Sequence, residues 1–279
     1  MFKTMLVSII LYLIAVFGLS DGSATNEVGS PLQPRIIGGR NTTVNEFPFV
    51  VAVLYKGKSH CTGTILSRRF ILTVGHSVIN RNRDDITVKA GFYVWNDPTA
   101  IFRDVKYKRV HPQYRLKKRV GYDIALLKLT APLDYDPAIQ PVILPAFRDN
   151  LPDETQGTFV GWGYIQYEPH PVDPLILQAL DVTKISRDDC KLSWIKLPRN
   201  TMCVSSETSS VTPFKDACLG DSGGPLMVGS VQWGIGAATS VNCSGLYPIQ
   251  LISVSRFTRW IKITISRDYF KRKRTTAAV

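Results

Sequence analysis

Acidic residues are scarce in this 279-residue chain: 22 aspartates and glutamates stand against 34 lysines and arginines, a formal charge of +12. Long apolar runs are scarcer still: the one near the N-terminus, Met5 to Phe17, is too short to span a bilayer comfortably, and no other stretch is long and apolar enough to cross one. That run follows Lys3 and gives way to small and polar residues around Gly18 to Ala24, the layout of a signal peptide (residues 1–20, its end between Ser20 and Ala24). An uncleaved anchor is the alternative. The expectation is therefore a secreted, extracellular chain without stable membrane insertion. Its basic clusters, Arg115-Leu116-Lys117-Lys118-Arg119 and Lys271 to Arg274, read first as solvated surface. A polyanion, either a glycosaminoglycan or an acidic protein surface, is the alternative partner, and nucleic acid is not expected. Histidines number only four and cysteines five, without the paired spacing of a metal site, so neither a metal nor any other cofactor is expected.

The chain is rich in short apolar segments separated by turn residues. Phe49 to Tyr55, Ile65 to Val74, Ile86 to Ala90, Val105 to Val110, Ile124 to Leu129, Thr158 to Trp162, Leu177 to Val182, Pro225 to Trp233 and Tyr247 to Val254 read as strands. Such spacing predicts an all-β barrel or sandwich, and about 240 residues after the leader suffice for two small barrels or one large one. The proline-bearing stretch Ala131 to Pro152 reads as a connection. Near the end, Val254, Phe257, Trp260, Ile261 and Ile265 recur at helical spacing, with Ser253 or Ser255 as cap, and a basic tail (266–279) comes after them.

The chemistry concentrates in Asp216-Ala217-Cys218-Leu219-Gly220-Asp221-Ser222-Gly223-Gly224-Pro225. Glycines around Ser222 permit a tight turn with an exposed hydroxyl, a candidate nucleophile. The backbone N–H groups of Gly220 and Ser222 could converge on one point, as a carbonyl oxygen gaining charge requires, and are the candidate oxyanion hole. Such residues also make ordinary turns. A serine hydroxyl needs a base and a carboxylate to orient that base. Among the histidines, His111 and His170 precede prolines, and His60 lies in a polar run. His76 alone ends an apolar strand, so it is the best base on context, with a satisfied core histidine as the alternative. Asp123 directly precedes the apolar Ile124-Ala125-Leu126-Leu127 and needs a partner if buried.

These residues carry a resemblance. Arg35-Ile36-Ile37-Gly38-Gly39, Leu72-Thr73-Val74-Gly75-His76, Asp123-Ile124-Ala125-Leu126-Leu127, Gly161-Trp162-Gly163 and Gly220-Asp221-Ser222-Gly223-Gly224-Pro225 occur in the order found in secreted trypsin-like (chymotrypsin-fold) serine proteases. The resemblance covers Ile36 to about Thr264. It implies two packed six-stranded antiparallel β-barrels (about 36–140 and 141–252) and a C-terminal α-helix, together a protease domain of 36–265. It further implies His76 as base, Asp123 as its orienter, Ser222 as nucleophile, and Gly220 with Ser222 as oxyanion hole. Residues 21–35 then form a propeptide. Cleavage after Arg35 by an activating protease frees the amino group of Ile36 to pair with Asp221.

The resemblance also selects the disulfides Cys190–Cys203 and Cys218–Cys243, leaving Cys61 over, because its usual partner position holds Ser77. Asp216 matches the floor of the primary pocket, with Gly234 and Gly245 as its walls, which implies substrates with arginine or lysine before the scissile bond. Asn41-Thr42-Thr43 is a glycosylation sequon, and Asn242-Cys243-Ser244 a weaker one. Departures from the pattern are Val74 and Gly75 before the histidine, and Gln232 in place of a serine beside the aspartate. The stretch Gly91 to Pro98 also has no glutamate to form a calcium loop. The expected function is a secreted serine endopeptidase. A catalytically silent homologue that binds a partner is the alternative, which Gln232, Ser77 and the unpaired Cys61 keep open.

Overall fold

The computed structural model describes residues 39–114, 120–166, 169–194, 196–206, 217–238, 243 and 247–276. The expected signal peptide, the propeptide and the basic run 115–119 lie outside them. Six strands close into a first antiparallel barrel: β2 (Val50–Tyr55), β3 (Lys58–Ser67), β4 (Phe70–Thr73), β5 (Ile86–Ala90), β6 (Ile101–Val110) and β7 (Ala125–Leu129), joined in the order β2-β3-β4-β7-β6-β5. Six more form a second: β8 (Gln156–Gly161), β9 (Gln178–Ile185), β10 (Thr201–Ser205), β11 (Pro225–Val228), β12 (Val231–Ala238) and β13 (Ile249–Ser253). Their order is β9-β10-β13-β12-β11-β8, and pairing of β8 with β9 closes the ring. The short β1 (Arg40–Asn41) pairs with β9, so the first described strand joins the second barrel rather than the first.

β2, β4 and β7 read as near-continuous apolar runs because both of their faces are buried. Along β2, Val51 and Val53 point into the first barrel, while Val50, Ala52 and Leu54 pack on Val160, Trp162 and Ala179 of the second. Along β4, Ile71 points inward, while Phe70 and Leu72 meet Ile235 and Ile252. This alternation, period two with apolar residues in both sets, makes the interface between barrels a second core. Each such side chain contributes about 2 kcal/mol on burial.

Two stretches expected as single strands are hairpins. Ile65 to Val74 turns at Arg68 and Arg69, and Pro225 to Trp233 turns at Gly229 and Ser230. The first turn contains no glycine or proline to mark it. By contrast Lys56 and Gly57, both at positive φ (52° and 75°), form the tight turn that joins β2 to β3.

Three α-helical segments complete the described chain: α1 (Gly75–Val78), α2 (Arg187–Ser193) and α3 (Thr258–Thr276). A 3-10 turn, Val254–Arg256, leads into α3, and Ser253 at its start makes no side-chain capping bond. The helix does not end at 265 as expected but runs on through the segment read as a basic tail. Asp268 explains part of this: its carboxylate accepts hydrogen bonds from Tyr107 Oη (2.9 Å) and from the ammonium of Lys128, a lysine otherwise buried in the first barrel. No described helix is long and apolar enough to cross a membrane.

Candidate active site

Antiparallel pairing of β4 with β7 sets Thr73 opposite Ala125. The residues just past one strand end and just before the other are therefore neighbours. After Thr73 the chain passes through extended Val74 into the single turn α1, which carries His76. Before Ala125 lies Asp123, 3% exposed. The two meet twice: the His76 backbone N–H donates to Asp123 Oδ1 (2.7 Å), and His76 Nδ1 bonds Asp123 Oδ2 (2.6 Å). With the carboxylate accepting, Nδ1 carries the proton and Nε2 keeps a free lone pair. Gly75 leaves room for this grip, since a Cβ there would stand 2.9 Å from Asp123 Oδ1.

Ser222 comes from the second barrel, on a turn with Gly220 at φ +101° and Gly223 at φ +90°. Backbone crowding dictates the glycines. A Cβ on Gly223 would lie 2.0 Å from Thr62 O, and one on Gly224 2.3 Å from Val160 O. His76 and Ser222 line one cleft of about 320 Å³ together with Ser59, His60, Trp162 and Tyr164. Neither the Gly220 nor the Ser222 N–H bonds to any acceptor among the described residues.

Asp221 is 1% exposed, and its carboxylate accepts from the N–H groups of Gly163 and Cys218, both at 2.8 Å. This accounts for Gly161-Trp162-Gly163. A Cβ on either glycine would come within 2.0 to 2.3 Å of that carboxylate.

Thr62 gave no signal in the sequence, yet it ties the barrels together at the Ser222 turn. Its N–H donates to Ser222 O (2.9 Å), and its hydroxyl donates to Gly220 O (2.9 Å) while accepting from the Trp162 N–H (3.1 Å). Arg81 and Asp173 also line the cleft unannounced, with the Arg81 guanidinium 4.8 Å from the centre of the Tyr55 ring.

The unpaired Cys61 is fully buried against the Thr73 and Ser77 hydroxyls. Burial pushes its thiol up to about 11. With no disulfide from Cys61 to residue 77, a hydrogen bond holds that turn instead: His60 Nε2 donates to Ser77 O (2.8 Å). Burial holds His60 below the usual histidine range, which favours the neutral ring. His111 is likewise structural, packed on Tyr122, Phe257 and Trp260 at ring distances of 4.9 to 5.3 Å.

Two expectations need correction. Gly234 does not wall a pocket. β12 reaches the Ser222 turn at Gly236, which exchanges backbone hydrogen bonds with Gly223 and Gly224 (2.8 and 2.9 Å). A Cβ on Gly234 would instead stand 2.9 Å from Leu251 Cδ1 and 3.1 Å from Leu226 Cβ, inside the second barrel. Nor does Gln232 meet Asp123: its Oε1 accepts from Thr64 Oγ1 (2.8 Å) and its Nε2 donates to Gly234 O (3.2 Å). Arg35, Ile36, Asp216 and Gly245 lie outside the described residues.

The disulfides join Cys190 with Cys203 and Cys218 with Cys243. Asn41 is half-buried, its Oδ1 accepting from Gln178 Nε2 (2.8 Å). Among the described residues no three potential ligands cluster as a metal site. In the loop expected to hold no calcium, the Lys89 ammonium donates to Trp95 O and lies 4.2 Å from the Phe92 ring centre.

The trypsin family model matches residues 36–261. Serine proteinase stubble of Drosophila melanogaster is 30% identical over 269 residues, which span 86% of this chain and 32% of that protein. Hypodermin-B of Hypoderma lineatum is 31% identical over 74% of the chain and 80% of its own length. A vitellin-degrading protease of Bombyx mori is 27% identical over 92% of the chain and 94% of its own length.

Proposed function

The chain belongs to the trypsin family of serine proteases, and from that membership we propose that it is a secreted endopeptidase, made as a zymogen, that cuts after arginine or lysine. The observation that carries this reading is the double hydrogen bond by which buried Asp123 fixes His76 in the cleft that Ser222 also lines. His76 Nε2 takes the proton of Ser222 as the hydroxyl oxygen attacks the peptide carbonyl. The carbonyl oxygen, now negative, is met by the N–H groups of Gly220 and Ser222. Asp123 stabilises the imidazolium, which gives its proton to the departing amine. Water, deprotonated by the same imidazole, then releases the acyl group from Ser222.

The preference for arginine or lysine rests on Asp216, a carboxylate six residues before the nucleophile. The zymogen rests on Arg35-Ile36 and Asp221: cleavage creates an amino terminus whose buried charge needs a carboxylate. The experiment compares the full chain with one beginning at Ile36 on peptides carrying arginine, lysine, phenylalanine or alanine before the scissile bond. The shortened form cleaves the first two and the full chain cleaves none. Equal rates for the two forms overturn the zymogen, and preference for phenylalanine or alanine overturns the pocket.

A further inference from the structure

Away from the cleft, and sharing no residue with it, the second barrel carries a groove of about 580 Å³ between the segment before β8, the start of α2, the approach to β10 and the turn before α3. Four arginines line it: Arg148, Arg187, Arg199 and Arg256. Among the described residues the one carboxylate in its lining is Asp149, which already accepts from the Asn150 N–H (3.0 Å). A fifth cation, Lys184, is committed to Asp153. The acids on α2 are likewise engaged, Asp188 with Lys191 and Asp189 with the Ser186 cap.

Elsewhere on the described surface some arginines are ion-paired and others, such as Arg69, Arg81 and Arg109, are not, but this groove gathers four of them. Arg40 is paired with Glu46, Arg68 with Asp134 and Arg83 with Asp84. In the groove Arg199 and Arg256 have no carboxylate partner among the described residues, and the Arg148 guanidinium lies over the Phe147 ring. Arg187 is pinned by donating to the carbonyls of Leu197 (2.6 Å) and Pro198 (3.1 Å), which fixes its guanidinium at the rim. Gathering four arginines around the single carboxylate of Asp149 leaves the groove positive and raises their mutual repulsion, a cost that a bound anion lowers.

The floor decides which anion. Its apolar side chains still open to an occupant are Ile185, Leu197 and Met202, each partly exposed, whereas Leu151 and the Cys190–Cys203 disulfide are already buried. An apolar floor gains from covering by an apolar side chain and gains nothing from a sulfated sugar. Arginine forks, moreover, match carboxylates two bonds at a time. We propose that this groove binds an acidic peptide segment of a partner protein, with glutamate or aspartate side chains on the arginines and an apolar side chain on the floor.

The test is fluorescence anisotropy on the full chain, so the readout is independent of proteolysis. The probe is a short labelled peptide of glutamate, aspartate and leucine, which contains no arginine or lysine to be cut. The probe binds the wild-type chain. Arg199→Glu with Arg256→Glu weakens it at least about tenfold, the reversal of two rim charges. Arg199→Gln with Arg256→Gln gives an intermediate loss, and Arg83→Glu on the first barrel none. Replacing the leucines of the probe by serine also weakens it. The proposal is overturned if the probe does not bind at low salt, or if it binds the double variants as tightly as wild type. It is equally overturned if a heparin oligosaccharide binds through the same arginines more tightly than the probe, which makes the site one for glycans.

Discussion

At the scale of single residues, buried Asp123 grips His76 through two different atoms, the backbone N–H and the ring Nδ1. Asp123→Asn keeps the shape but presents an amide to Nδ1, so the imidazole turns its lone pair away from Ser222. The expected loss in kcat/KM is about 10⁴-fold with little change in KM, measured by steady-state hydrolysis of an arginine substrate by the chain beginning at Ile36. Thr62 acts one step further out. Thr62→Val leaves Gly220 O and the Trp162 N–H without their shared hydroxyl, which costs about 2 kcal/mol. The expected signature is a fall in kcat rather than a rise in KM, restored by Thr62→Ser. A positional effect of this kind disappears when the hydroxyl returns, whereas simple loss of packing does not. Cys61 gives a pH prediction. Its thiol is raised from 9.0 to about 11 in the folded chain. The unfolded chain therefore releases this proton first, and the stability it carries is complete below pH 9 and is lost as pH rises toward 11. The loss approaches about 3 kcal/mol. Chemical denaturation across that window should show it for wild type and show a shallower decline for Cys61→Val.

At the scale of elements, the register of β4 against β7 does the positioning, because it sets the end of one strand beside the start of the other. The long helix α3 is held by a buried charge. Lys128 is 3% exposed and pairs with Asp268. Asp268→Ala strands that ammonium, and urea denaturation should report a loss of about 3 kcal/mol. Asp268→Ala is also expected to reduce helicity at the end of α3 by circular dichroism. Much at this scale was legible from residues alone. His76 at the end of an apolar strand and Asp123 at the start of another announced themselves, since a polar side chain in such a place needs a partner. The hairpin at Arg68-Arg69 did not, because its turn residues carry no local signature. The helical end of α3 was equally hidden, for its apolar spacing fades at Ile265 and a single long-range ion pair helps to hold the turns beyond it. Gly234 was misplaced because a glycine needed by a barrel core and a glycine needed by a pocket look alike in a sequence. Only the bonds from Gly236 to Gly223 and Gly224 separate them. Thr62 was invisible for a related reason, since its partners lie at Gly220, Ser222 and Trp162, far along the chain.

At the scale of the whole molecule, two barrels share an apolar seam, and the groups proposed to react are divided across it: His76 and Asp123 on one side, Ser222 with the Gly220 turn on the other. Cutting the seam therefore separates base from nucleophile. Within the proposed reaction, neither barrel suffices alone, and the Thr62 bridge keeps the halves in register. The most direct measurement is covalent labelling of the chain beginning at Ile36 with a fluorophosphonate, read by intact and peptide mass spectrometry. One adduct per chain is expected, on Ser222, abolished by His76→Ala in a protein that still unfolds cooperatively. A folded, unmutated chain beginning at Ile36 that takes no label, or takes it on a residue other than Ser222, would contradict the division of labour between His76, Asp123 and Ser222.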